Sequence, residues 1–119
     1  MIYRRRTYSV VTEKVHLFHE FFHTYLLPNQ LKNGAKLVGR WTNEVTALWQ
    51  YDSMEAYKRI EEAVRRDALH QLAQQNRHRI EGCIVSKQED FLHFTGQYEY
   101  SKQIIAVSAA ITNEYNEVL

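Results

Sequence analysis

Cysteine, proline and glycine are all scarce in this chain of 119 residues, which holds one, one and four of them respectively. A lone Cys83 excludes an internal disulfide framework and a metal site built from several cysteines, and it fits a reducing compartment. So few glycines and prolines, with no low-complexity tract, leave no sign of a long linker. Long apolar runs are missing as well: no segment approaches the ~18 apolar residues of a membrane span. The start, Met1 to Tyr8, carries a basic run with no apolar region behind it, so no signal peptide is visible and a soluble, cytoplasmic protein is expected. Charge of one sign is not in excess either, with 15 Lys plus Arg against 14 Asp plus Glu and a net charge of +1. No global field recruits nucleic acid or an anionic membrane surface, and neither is expected as a partner. There is no glycine-rich phosphate loop and no serine-nucleophile elbow, and no cofactor is expected.

What is present is a chain 45% hydrophobic, long enough for one domain of roughly 100 residues with a real core. Gly34 to Tyr51 reads as two strands joined at Asn43-Glu44. A two-residue connection sets Arg40 opposite Ala47, Val38 opposite Trp49 and Lys36 opposite Tyr51. Leu37, Gly39 and Trp41 then share the other face with Leu48. One tryptophan and at least one aliphatic residue fall on each side, so both faces want cover. Helices of the same chain cover one; a second copy of the chain is expected to cover the other, making a homodimer.

Around this hairpin, Ile2 to Val10 alternates as a first strand. Thr12 is placed to cap a helix whose stripe is Val15, Phe18, Phe22 and Leu26, and which ends or breaks near Pro28. Asp52 with Glu55 forms a capping box for a second helix reaching about Arg66, and Asp67 starts another helical piece. Cys83 to Glu89 reads as a fourth strand, and Asp90 to Thr95 as a short helical or turn segment. The order β, α, β, β, α, β implies an α+β, ferredoxin-like antiparallel sheet with both helices on one face.

Tyr3, Arg6 and Tyr8 on the first strand, Gly34, Leu37-Val38-Gly39 and Trp41 on the second, and Leu48-Trp49-Gln50-Tyr51 leading into Ser53-Met54-Glu55 resemble the NIPSNAP proteins of the dimeric α/β-barrel superfamily. The resemblance covers residues 1–95, and the domain is placed at residues 1–96. It implies a sheet that forms a barrel with that of a partner subunit.

Several side chains are candidates for a ligand site. Alternation sends Arg5 to the face opposite Arg4 and Arg6. With Tyr8 in line, Arg4 and Arg6 can hold a small anionic ligand, a carboxylate or phosphate, in the barrel between subunits; or they pair with Glu44, Glu55 or a partner's acid. Trp41, Trp49, Tyr51 and Tyr25 line a pocket or pack in the core. His19-Glu20-Phe21-Phe22-His23 matches the zinc-protease pattern of two histidines one helical turn apart with a glutamate beside them, and His16 shares their face. No third ligand or substrate cleft accompanies it, so no metal is expected, and His23 is kept as a ligand-contacting candidate only. Cys83 reads as a small buried hydrophobe.

Residues 97–119 form a separate piece. Ile105, Val107, Ala109 and Ile111 alternate as in a strand, Asn113 to Asn116 turn, and Glu117-Val118-Leu119 begin a return strand. This resembles the opening of a Nudix (MutT-like) hydrolase domain, without the glutamate-rich box that holds the divalent metal. The two resemblances together imply a non-catalytic dimerisation or ligand-binding module at the amino-terminal side of a hydrolase of nucleoside diphosphate derivatives. The alternatives are a small stand-alone enzyme, such as a cofactor-free monooxygenase-like protein, and a structural interaction protein.

Overall fold

Alternation along Ile2–Val10 puts Ile2, Arg4, Arg6, Tyr8 and Val10 on one face, and this strand, β1, sits inside the sheet, hydrogen-bonded on both sides. The computed structural model describes residues 1–42 and 44–96. β1 pairs antiparallel with β3 (Val45–Tyr51) and β4 (Ile84–His93), and β2 (Lys36–Thr42) completes a four-stranded sheet in the order β2-β3-β1-β4. The fold is the expected α+β, ferredoxin-like one. Within one chain the sheet stays open and does not close into a barrel.

The hairpin departs from the expected register. Thr42 pairs with Val45 and Arg40 with Ala47, as a two-residue connection requires, but Leu37 then lies opposite Trp49 and Lys36 opposite Gln50. A bulge at Val38 absorbs one residue. Its effect is to trade Val38, left exposed, for Leu37, which packs against Trp49 and Tyr51; a one-residue slip moves a side chain to the other face. Trp41 and Trp49 still point to opposite faces. Gly39 is needed beside the bulge because Trp41 folds back over it: a Cβ there would come within 2.6 Å of the indole ring.

All described helices lie on one face. α1 (Val15–Phe21) passes through a π-helical turn (Phe22–Leu26) into α2 (Leu27–Lys32). The helix was expected to end or break near Pro28; it does not end there, but its regular α-helical path is interrupted by the π-helical turn just before the proline. Pro28 falls in the first turn of α2, just after the widened turn, where its missing N–H leaves no hydrogen bond broken. Thr12 makes no side-chain cap; it opens a short 3-10 turn instead, held by Val11 N–H bonding to the Cys83 carbonyl at 2.8 Å. α3 (Met54–Arg66) is capped by Ser53 rather than Asp52, with Ser53 Oγ accepting from Ala56 N–H at 3.0 Å. β4 also runs further than expected, through Asp90 to His93, because these residues pair with Arg5, Arg4, Tyr3 and Ile2 and place Phe91 inward against Tyr57. The expected strand and turn of residues 97–119 lie outside the described residues.

Two buried clusters meet at the helix–sheet boundary, one around Phe18, Phe21, Tyr25, Val45, Ile80 and Cys83, the other around Ile2, Phe22, Ala47, Trp49 and Tyr51. Each fully buried ring contributes roughly 1.5–3 kcal/mol. Helix α4 (Ala68–Gln75) is fixed from outside that core. Asp67 caps it by accepting from Leu69 N–H at 3.0 Å, and its other oxygen holds Lys32 Nζ at 2.9 Å and Asn33 Nδ2 at 3.2 Å, joining α2 to α4. The backbone bond from Leu69, then Lys32 and Asn33, lower the Asp67 carboxyl from 3.8 to about 2. A folded-state pKa below the unfolded one gives stability that is present above about 3.8 and lost as pH falls through about 2. Thermal unfolding should therefore show the midpoint falling over that window, with Asp67→Ala lowered at neutral pH and flatter below it.

Candidate ligand-binding cleft

The inward face of β1 is unusual for a strand inside a sheet, because charged residues stand at two of its five positions. Arg4 is buried, and its guanidinium is paired with Glu89 on β4 and lies 3.4 Å from Glu61 on α3. The Tyr57 ring covers it at 5.2 Å. Burial works against the Arg4 charge, but the Glu89 hydrogen bond and the Glu61 carboxylate outweigh it and hold its pKa above the ordinary value. The expected partners, Glu44 and Glu55, are not the ones used: Glu61 lies deeper along α3, and Glu89 is opposite Arg6 across the ladder.

Arg6, next on the same face, has no such neutralising pair among the described residues. Its guanidinium lies 5.4 Å over the Tyr8 ring, and its Nε is buried without a hydrogen-bond partner. Beside it the helices leave a cavity of about 80 Å³, walled by Trp49 and Val45 below and Phe18 and Phe22 above, where the small side chains of Ala47 and Ala73 leave space. The cavity adjoins a wider one of about 250 Å³, sharing Arg6, Tyr8 and His70 as walls and reaching Arg77 and Lys87. Burial raises the Tyr8 hydroxyl pKa, the nearby arginines opposing it.

The far wall holds Arg40 of β2. Its guanidinium stacks on Phe22 at 4.2 Å and is 5.7 Å from Phe18. Arg40 Nη1 donates to Nδ1 of His19 at 2.7 Å, while Arg40 Nε and Nη2 are buried without partners. Burial, then Arg40 itself and His23, lower the His19 pKa, which keeps the imidazole neutral and able to accept that bond. Burial also lowers the Arg40 pKa, but a guanidinium remains protonated.

Of the residues expected to contact a ligand, the fold brings Arg4, Arg6, Tyr8 and Trp49 to this cleft and leaves two elsewhere. Trp41 is on the opposite sheet face, 54% exposed. His23 is exposed on the helix, its Nδ1 bonded to the His19 carbonyl at 2.7 Å. Arg4 and Arg6 were expected in a barrel between subunits; they face the chain's own helices instead, because Ile2, on the same face, is in the core against Tyr51. Among the described residues no group of three or more His, Cys, Asp and Glu gathers to hold a metal ion. Arg40, Phe18, Phe22 and His70 were not singled out from the sequence as site residues. The signal for Arg40 was its place opposite Ala47, where a small partner beside Trp49 makes room.

Comparison with known proteins fits this geometry. The NIPSNAP family model matches residues 3–96. This chain belongs to the NIPSNAP family. Its fold is similar to that of an uncharacterized NIPSNAP domain protein from Burkholderia xenovorans, with a TM-score of 0.71 at 24% identity over 84% of this chain and 100% of that one. A putative antibiotic biosynthesis monooxygenase from Nitrosomonas europaea shares the fold at a TM-score of 0.56 and 12% identity, over 81% of this chain and 100% of that one. So does a dimeric ferredoxin-like protein from an uncultured marine organism, at 0.53 and 10% over 83% and 97%. A search of curated proteins found no match. No described helix is long and apolar enough to cross a membrane.

In this NIPSNAP domain the charge balance around Arg4 should be separable from its packing. Replacing Glu61 and Glu89 together with Gln leaves a buried guanidinium uncompensated and should cost about 3–5 kcal/mol, whereas Arg4→Met should cost clearly less. Urea unfolding of the two variants gives the comparison; little loss in the double Gln variant would mean that Arg4 acts through packing alone.

Proposed function

We propose that this NIPSNAP domain is a non-catalytic, homodimeric module that binds a small anion in the cleft between its sheet and helices. The observation that carries the reading is the cleft itself, where Arg6 and Arg40 hold buried guanidinium nitrogens without partners next to a cavity. Cationic donors that a fold leaves unpaired in a cleft are a ready site for an anion. The site residues of this reading are Arg40, Arg6, Tyr8 and Trp49, with Arg4 holding the floor.

Dimerisation is supported by the sheet's other face. Trp41, Leu48, Tyr3 and Leu92 stand there with no described helix over them, and Trp41 and Leu92 are exposed. The similarity to a protein described as dimeric points the same way. Between the apolar ends of this face runs a polar centre that includes the Arg5–Asp90 ion pair, 2.6 Å, a pattern that suits a self-complementary interface of more than ~1,200 Å². The lone Cys83 supports a cytoplasmic location, and the likeness of residues 102–119 to the opening of a Nudix domain supports a module attached to a hydrolase. The alternatives are less well supported. A stand-alone monooxygenase-like enzyme has only the likeness of fold at 12% identity, and a purely structural protein leaves the unpaired guanidinium nitrogens without a role.

Light scattering should give twice the 14.2 kDa chain mass, and Trp41→Glu should give the monomer with the fold retained. A wild-type monomer at micromolar concentration would defeat the dimer. A thermal-shift screen tests the cleft: among small organic acids and phosphates at least one class should raise the unfolding midpoint and matched neutral compounds should not, with the shift reduced in Arg6→Gln.

A further inference from the structure

We propose that the cleft takes a small monocarboxylic acid with an apolar body about the size of one ring, its carboxylate held on the Nε/Nη2 edge of Arg40. The inference rests on the cleft being an anion site and adds the chemistry of the anion. Arg40 has three guanidinium nitrogens, and one of them, Nη1, is occupied by His19 Nδ1 at 2.7 Å. The remaining two are buried and unpartnered. Nε–H and Nη2–H run parallel along one edge of the guanidinium plane, a spacing that matches the two oxygens of a carboxylate. The protein already uses this edge in that way on its other face, where Arg5 Nε bonds Asp90 Oδ1 at 3.0 Å and Arg5 Nη2 bonds Oδ2 at 2.6 Å.

Arg40 is also held in place before any ligand arrives. Its central carbon lies 4.2 Å over the Phe22 ring and its Nη1 is tied to His19, so it is restrained from two sides. A fork restrained by the fold loses little freedom on binding. Arg6 Nε supplies a further unpaired donor on the same cavity.

The walls select what the carboxylate is attached to. Phe22, Val45 and Ala47 give the cavity beside Arg40 an apolar wall; of its polar lining, Arg4 is already paired with Glu61 and Glu89, and Gln30 Oε1 is a buried acceptor without a donor. Even with Arg6 Nε taking a third oxygen, a phosphate would leave a fourth against that apolar wall or that acceptor, a costly arrangement, whereas a carboxylate has no oxygens beyond the two that the fork takes. Size follows from the volumes. The inner cavity of about 80 Å³ is too small for a ring, since an apolar cavity of roughly 150 Å³ is known to hold benzene. With the adjoining space of about 250 Å³ there is room for one.

Calorimetric titration of the full chain with benzoate, benzamide and inorganic phosphate at neutral pH tests this. Benzoate should bind, and benzamide and phosphate should each bind at least roughly tenfold more weakly, because a site built for paired hydrogen bonds rejects analogues that cannot make them. Arg40→Lys keeps the charge and removes the fork, and should weaken benzoate to a similar degree while the unfolding midpoint stays close to wild type. The ligand comparison is made on the wild-type chain, so it stands even if that variant fails to fold. Phosphate binding as tightly as benzoate would overturn the carboxylate assignment while leaving an anion site in place. Benzamide equal to benzoate, or undiminished benzoate binding by folded Arg40→Lys, would overturn the role of the Arg40 fork. If neither benzoate nor phosphate binds at millimolar concentration, the anion-site reading fails together with this one.

Discussion

Two guanidinium groups on the inward face of a strand inside the sheet set the terms for everything packed against them. An apolar strand in the place of β1 would let the helices close down on the sheet. With Arg4 and Arg6 there, every buried charge must be paired or given access to polar partners, because an isolated one is far more costly than any single core contact is favourable. Arg4 is resolved by pairing: Glu89 from the next strand and Glu61 from α3 meet it, so the ion pairs decide where α3 crosses the sheet. Arg6 is resolved by space, since it borders the cavity under α1 and α4. The cleft is thus a consequence of where the charges fall in the alternation of one strand.

The same alternation separates the two roles assigned to the sheet. On the covered face, small residues such as Ala47 and Ala73 keep the cavity from filling, and aromatic rings from α1 wall it. On the uncovered face the odd-numbered residues of β1 meet Leu48 and Trp41 through the ladder. A ligand on one face and a partner on the other do not compete for side chains. Likeness to the monooxygenase and to the dimeric protein is likeness of this scaffold, and a scaffold carries many chemistries; the activity has to be argued from what lines the cleft.

Much of the fold was legible in the sequence because strand and helix periods are local signals. That Arg4 and Arg6 share one face of β1, with Arg5 on the other, needed only its alternation, and the opposite placement of Trp41 and Trp49 needed only the two-residue turn. Which face the helices cover did not follow from either, and the two arginines were expected on the other one. What was not legible depended on long-range partners. Asp90 looks like a turn residue until Arg5 is known to lie across from it, and Pro28 looks like a helix end until the π-helical turn before it is seen. The capping position shifted from Asp52 to Ser53 because both residues have the chemistry to cap, and only the backbone geometry chooses between them.

The bulge at Val38 shows how a small irregularity matters to a site without creating it. An unbroken ladder would pair Val38 with Trp49 and leave Leu37 on the uncovered face; the bulge reverses these two, yet Arg40 lies between the bulge and the turn and keeps its place opposite Ala47 in either case. The hairpin's turn, which is local, therefore fixes the arginine, while the packing of Leu37 against Trp49, which is not, decides the far end of the strand. That Arg40 shares a face with Ala47 and Trp49 could be read from the sequence alone. Its chemistry could not, because the unpaired edge exists only once His19 takes Nη1 and Phe22 lies against the guanidinium, and both of those come from a helix about twenty residues earlier in the chain.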